Sequence, residues 1–208
     1  MDLSDKKRML LESLRREGCL RSPGIVRAFV DVPREGFVRP EDMPHAYSDQ
    51  PLHIGSGQTI SAPHMVAIMT ELIRPGKADR VLEVGAGSGY QAAILSRLVR
   101  RVYAMELEPG LVSLARKNLK RAGIRNVEVV QGDGSLGLPE HAPYDRIMVT
   151  CAADMIYPAW KEQLREGGIL IAPVDSGFHQ ELTLAEKKKG RLRAREILSC
   201  VFVPLRHR

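Results

Sequence analysis

From Pro75-Gly76 onward the sequence alternates short apolar runs with helical segments for about 100 residues, and no other feature restricts the fold as strongly. The pattern predicts strands at Arg80 to Val84, Val102 to Leu107, Val127 to Gln131, Asp145 to Thr150 and Gly168 to Pro173. It predicts helices at Tyr90 to Val99, Pro109 to Ala122 and Ala159 to Arg165. Strands that alternate with helices this closely require right-handed crossovers and a parallel sheet covered on both faces. The expected fold class is therefore α/β, a doubly wound, mostly parallel, Rossmann-like sheet.

Ahead of this block, Leu3, Leu10, Leu11 and Leu14 recur at helical spacing before Gly18, and Ser22-Pro23 opens a second short helix through Val30. Pro33, Pro40, Pro44, Pro51 and Pro63 then leave little room for a long helix and predict an ordered loop or hairpin region, of a length that commonly carries function. Ser61 with Pro63 opens an amphipathic helix whose face carries Val66, Ala67, Met69 and Ile73. Beyond the alternating block, Glu181 to Glu186 and Ala194 to Val203 flank Lys189-Gly190, a hairpin signal that adds antiparallel edge strands. The expectation is a single domain over 1-208, with N-terminal helices and a substrate loop in 1-75, an α/β core in 76-175 and a C-terminal β-hairpin in 176-208.

Charge and cysteine usage narrow the partners. Lys and Arg number 31 against 25 Asp and Glu, and the stretch from Glu186 to Arg208 supplies the whole excess with eight basic and two acidic residues. A nucleic-acid binder usually spreads its basic residues over the folded body, so a solvated hairpin is expected here and no nucleic-acid partner. Cys19, Cys151 and Cys200 have neither an even count nor C-x-x-C spacing, which argues against a disulfide framework or a zinc site. The six histidines show no metal-binding spacing either, so no metal is expected. The first residues lack the apolar core of a signal peptide, and no apolar run approaches a membrane span. A cytoplasmic protein with no membrane partner, working as a monomer, is the expectation.

Val81-Leu82-Glu83-Val84 runs directly into Gly85-Ala86-Gly87-Ser88-Gly89 and then a helix, the place where an α/β sheet offers backbone amides to a ligand. The glycines follow G-x-G-x-G and not the dinucleotide fingerprint G-x-G-x-x-G. Glu106 follows Gly85 by 21 residues at the end of the second strand, where a carboxylate can accept from two ribose hydroxyls or else cap the helix at Pro109. Gly132-Asp133-Gly134 after the third strand offers a short acceptor for an adenine amino group, or simply a good turn. Three such features at three successive strand ends point to a nucleoside-containing cofactor.

With Glu83 in front, E-x-G-x-G-x-G resembles the first motif of class I S-adenosylmethionine-dependent methyltransferases. The upstream segments Val32-Pro33-Arg34-Glu35-Gly36-Phe37-Val38 and Ala46 to Met65, which contains Gly55-Ser56-Gly57-Gln58-Thr59-Ile60-Ser61-Ala62-Pro63-His64, resemble the signature region of protein-L-isoaspartate (D-aspartate) O-methyltransferases. The likeness continues through Tyr144 to Thr150, Gln163-Leu164, Gly167-Gly168, Ala172-Pro173-Val174 and Phe202-Val203-Pro204-Leu205. Departures are His53 for the usual proline, Cys151 for alanine and Trp160 for leucine, the last two expected only to repack a helix against the sheet.

The resemblance implies methyl transfer from S-adenosyl-L-methionine, leaving S-adenosyl-L-homocysteine, to the free α-carboxylate of L-isoaspartyl and D-aspartyl residues in damaged proteins and peptides. It implies cofactor binding by Glu83, Gly85, Gly87, Gly89, Glu106, Asp133 and Gly134, and a substrate pocket of Thr59, Ile60, Ser61, Ala62, His64, Val149, Thr150 and Ala152. An α-carboxyl of pKa about 3.5 is already ionised in the cytoplasm, so the site needs orientation and water exclusion more than a base. Position alone reads Ser61 as a helix N-cap, whereas the resemblance makes its hydroxyl the catalytic group that donates to the carboxylate. His64 reads either as a packed histidine or as a ligand contact, and Cys151 as a small buried cysteine. An RNA or small-molecule methyltransferase is the competing reading, although Thr150-Cys151-Ala152-Ala153 lacks the Asn/Asp-Pro-Pro-aromatic pattern of base-amino enzymes.

Overall fold

The structure, a computed structural model, describes residues 2–207. Two amphipathic helices, α1 (Leu3–Arg16) and α2 (Pro23–Asp31), lead into short 3-10 turns and a small hairpin of β1 (Leu52–Gly55) and β2 (Gln58–Ile60). Helix α3 (Pro63–Ile73) follows, and then the alternating block: β3 (Arg80–Val84), α4 (Tyr90–Ser96), β4 (Arg101–Glu106), α5 (Pro109–Arg121), β5 (Val127–Gln131), β6 (Tyr144–Val149), α6 (Pro158–Gln163) and β7 (Leu164–Asp175). The hairpin of β8 (Gln180–Lys188) and β9 (Arg191–Cys200) closes it.

The main sheet runs β5-β4-β3-β6-β7-β8-β9, parallel through β7 and antiparallel beyond. Strand order reverses on either side of β3, so a crevice opens where β3 and β6 end side by side, the usual ligand position in such sheets. One face of the sheet is covered by α1 to α5 through Leu14, Phe29, Ile73, Ile94 and Leu119, and the other by α6 and its loops through Tyr144, Trp160 and Leu164. A sheet buried on both faces explains why its central strands read as near-continuous apolar runs.

Two expectations are corrected. The helix expected to run to Arg165 stops at Gln163, because Leu164 already pairs with Tyr144 at the start of a 12-residue β7. The hairpin strand expected to reach Val203 stops at Cys200, and residues 201 to 207 turn back over the ends of the parallel strands. There Ala152 donates to the Val203 carbonyl at 2.8 Å and accepts from the Leu205 amide at 2.7 Å. The basic hairpin is also less idle than a solvated run: the Lys187 ammonium donates to the carbonyls of Lys161 and Leu164, both at 2.6 Å, tying down the end of α6.

Candidate active site

The loop after β3 turns through three glycines with positive φ, Gly85 at 96°, Gly87 at 53° and Gly89 at 85°. At Gly85 the requirement is steric as well: a Cβ would lie 2.7 Å from the Thr150 hydroxyl oxygen, which donates to the Gly85 carbonyl at 2.6 Å. The amides of Gly85 and Ala86 both donate to the Met105 carbonyl, at 2.9 and 2.8 Å, so the loop is held from β4 as well as from β6. Gly89 becomes the N-cap of α4 and lies against Ala115 and Leu119, which makes it a packing residue.

Glu106 leaves the tip of β4 with its carboxylate fixed by three backbone donors, Gly87 at 2.8 Å, Leu107 at 2.9 Å and Glu108 at 3.1 Å. It thus sets the glycine loop and the entry to α5 at once. Asp133 accepts from the amide and hydroxyl of Ser135, at 2.9 and 2.7 Å, and lies 3.5 Å from a ring nitrogen of His207. The turn it opens is locked from outside: the Trp160 indole donates to the Gly134 carbonyl at 2.7 Å, and Gln163 accepts from the Leu138 amide and donates to the Leu136 carbonyl. Trp160 therefore does more than repack, since a leucine there has no donor to offer.

Two depressions meet at Gly85. The first is a slot lined by Met105, Glu106, Gly132 and Gly134 together with Cys151 and Leu205. A Cβ at Gly134 would collide with a Val84 methyl, so only glycine fits that wall. Burial, with the Glu106 charge second, pushes the Cys151 thiol up to about 12, which makes it an inert apolar wall and not a nucleophile. Arg206, paired with Glu108 at 3.1 Å, roofs the slot beside Gln58.

The second depression takes Thr59, Ile60, Ser61 and Thr150 from the expected acceptor pocket, together with Gly87 and Glu83. Ser61 is not the helix cap: Ala62 holds that position, and Asp49 accepts from the His64 amide at 2.9 Å in place of a local cap. Among the described residues the Ser61 hydroxyl has no hydrogen-bond partner. Tyr90 and Gln91 complete the wall, and burial raises the Tyr90 phenol to about 12, so it stays a neutral donor. The Arg34 guanidinium stacks over the Tyr90 ring at 5.1 Å, wholly buried and without a hydrogen bond among the described residues, and burial lowers its pKa.

The structure thus brings Glu83, Gly85, Gly87, Glu106 and Gly134 to the crevice from the expected cofactor set, with Asp133 adjoining and Gly89 beneath. Of the expected acceptor residues, Ala62, Val149 and Ala152 are buried behind the wall, and the His64 ring is held by Asp49 at 2.9 Å. Sequence reasoning missed Gln58, Leu205 and Arg206; the last two arrive from the far end of the chain, and only the Val203-Pro204-Leu205 segment hinted at them. No group of three or more potential metal ligands occurs among the described residues. No helix among them is long and apolar enough to cross a membrane.

A slot whose wall needs glycine at positions 85 and 134, an acidic residue beside it and a loop of backbone amides fit a nucleoside joined to an amino acid. The comparisons agree. Residues 5–208 match the family described as protein-L-isoaspartate(D-aspartate) O-methyltransferase (PCMT). The protein-L-isoaspartate O-methyltransferase of Methanopyrus kandleri is 50% identical over 202 residues, covering 94% of this chain and 89% of the relative. A solved protein-L-isoaspartate O-methyltransferase, 33% identical, superposes with a TM-score of 0.87 over 95% of this chain and 65% of that longer one. A Plasmodium falciparum protein described as a putative protein-L-isoaspartate O-methyltransferase, crystallised with S-adenosyl-L-homocysteine, superposes with a TM-score of 0.84 at 26% identity over 95% of this chain and 97% of that one.

Proposed function

The chain belongs to the protein-L-isoaspartate (D-aspartate) O-methyltransferase family, and from that premise we propose how its residues divide the work of methylating isoaspartyl residues in damaged proteins. S-adenosylmethionine, when bound, supplies the methyl group as an electrophile. The slot rimmed by Glu106 and floored by Gly132 and Gly134 would hold its nucleoside, and the Gly85 to Gly87 loop its amino-acid end. The acceptor carboxylate is then received on the other side of Gly85, by Thr59, Ile60, Ser61 and Thr150.

The observation that carries this reading is the Ser61 hydroxyl, which lines the crevice and is uncommitted within the described chain. It donates to the substrate carboxylate, which arrives ionised, so no residue has to remove a proton. The start of α3 adds partial positive charge on the same side. Ile60 and Val66 present apolar surface that keeps water from a weak nucleophile. His64 is an outer support: its ring and amide both engage Asp49, which fixes the first turn of α3 below Ser61.

A single-domain, cytoplasmic enzyme acting as a monomer on proteins and peptides accords with this reading. Its support is the three unpaired thiols and the position of the basic hairpin at the edge of the sheet opposite β5. The test of the assignment is Ser61→Ala. Turnover on an isoaspartyl peptide is expected to fall by roughly 10- to 1000-fold, since misplacement by about 1 Å can cost 100-fold, while calorimetry finds S-adenosylmethionine affinity little changed. Ser61→Thr is expected to be impaired too, through its added methyl group. Folded Ser61→Ala with wild-type turnover at saturating peptide would remove Ser61 from the mechanism.

A further inference from the structure

Glu83 lies in the middle of the sheet, between Ala104 of β4 and Met148 of β6. It is 0% exposed, and neither carboxyl oxygen has a hydrogen-bond partner among the described residues. Yet it lines the depression that also takes Ser61 and Gly87. An ionised carboxylate without a donor or a counter-charge is the costliest group a protein interior can hold.

The surroundings offer no relief. From α3 the depression receives Val66, from α4 Tyr90 and Gln91, and from the end of β6 Thr150, none of them cationic. The Gln91 amide is spent on the Thr70 hydroxyl at 3.1 Å. The buried Arg34 guanidinium stacks on the Tyr90 ring and makes no hydrogen bond to Glu83. The charged group that bears on Glu83 is Glu106, of the same sign, at the tip of β4. Burial first, and Glu106 second, hold the Glu83 carboxyl well above the usual carboxylate range.

The reading above brings a ligand with two cationic centres, a sulfonium and an α-ammonium, into this crevice, and the inference rests on it. We propose that Glu83 is the charge-sensing residue of the cofactor site: it carries a proton in the free enzyme and releases it to solvent when a cationic centre of the cofactor enters the depression. No covalent bond changes; one O–H proton leaves and one counter-charge takes its place. Binding that releases a proton strengthens as pH rises, so S-adenosylmethionine affinity should climb with pH, by at most tenfold per unit, wherever Glu83 is protonated in the free enzyme.

The experiment is calorimetry of S-adenosylmethionine and S-adenosylhomocysteine binding to the full chain, in two buffers of different protonation enthalpy across pH 6 to 8. It is paired with the infrared difference spectrum of each complex. Expected are a proton released on binding S-adenosylmethionine and loss of a neutral-carboxylic-acid C=O band. Release with both ligands assigns the ammonium as the cation; release with S-adenosylmethionine alone assigns the sulfonium. Glu83→Gln should bind with no proton release through this group and a flat pH profile. Binding by the wild type with equal heats in both buffers and no change in a carboxylic-acid band would overturn the proposal, whatever the fate of the variant. Absence of any S-adenosylmethionine binding would instead break the cofactor reading beneath it.

Discussion

Around Glu106, three backbone amides converge on one carboxylate and the loop it holds is tied again by Thr150 and Met105. Around Ser61 and Glu83, on the other side of Gly85, a hydroxyl and a carboxyl have no partner within the described chain. The first region is preorganised by backbone hydrogen bonds, so its shape costs nothing when the cofactor binds. The second keeps its polar side chains uncommitted until a ligand arrives, Ser61 for an acceptor it need hold only for one reaction and Glu83 for a cation of the cofactor. The contrast teaches where substitutions should damage affinity and where they should damage turnover.

The most damaging break in the preorganised half is expected at Gly85. Gly85→Ala adds strain at φ 96° and a Cβ only 2.7 Å from the Thr150 hydroxyl. Strain of about 1–3 kcal/mol with a lost hydrogen bond of about 1 kcal/mol should lower S-adenosylhomocysteine affinity by roughly 100-fold, read by calorimetry. Unchanged affinity would mean that the loop is not the cofactor cradle.

A smaller loss is expected from Glu106→Ala, which orphans the amides of Gly87, Leu107 and Glu108. Cofactor binding should weaken by about 1.5–3 kcal/mol, the range for hydrogen bonds to a charged group, with the thermal midpoint falling alongside. If only the midpoint moves, Glu106 is a scaffold carboxylate and the two halves are not distinct in what they do.

The smallest effect sharpens the comparison from outside both halves. Lys187→Met removes the donor to the Lys161 and Leu164 carbonyls at the end of α6, residues that line neither depression. A stability loss of about 1 kcal/mol by denaturant titration, with unaltered turnover and cofactor affinity, is expected. A tenfold fall in turnover would draw the basic hairpin into the site.

Much of the preorganised half was legible because its constraints are local. A strand that meets three glycines must turn through positive φ, and an acidic residue at the next strand end has the backbone amides of that turn within reach. The first four strands of the alternating block fall within one residue of their expected bounds for the same reason, since apolar runs bounded by Gly and Pro carry their own limits, whereas β7 begins at Leu164, four residues ahead of the expected Gly168. What stayed hidden depends on partners distant in sequence. Ser61 reads as a cap until Asp49, on a separate loop, is seen taking the His64 amide. Leu205 and Arg206 reach the cofactor slot only because the chain turns back after β9, and no periodicity announces such a return. Trp160 reads as bulk until its indole meets the Gly134 carbonyl across the edge of the fold.

The most direct test of the whole account is methyl transfer by the purified chain from labelled S-adenosylmethionine to two peptides that differ only in one isoaspartyl or aspartyl linkage. The account predicts label on the isoaspartyl peptide alone, released by mild base as expected of a carboxyl ester. Equal labelling of both peptides, or label that survives base, would contradict it.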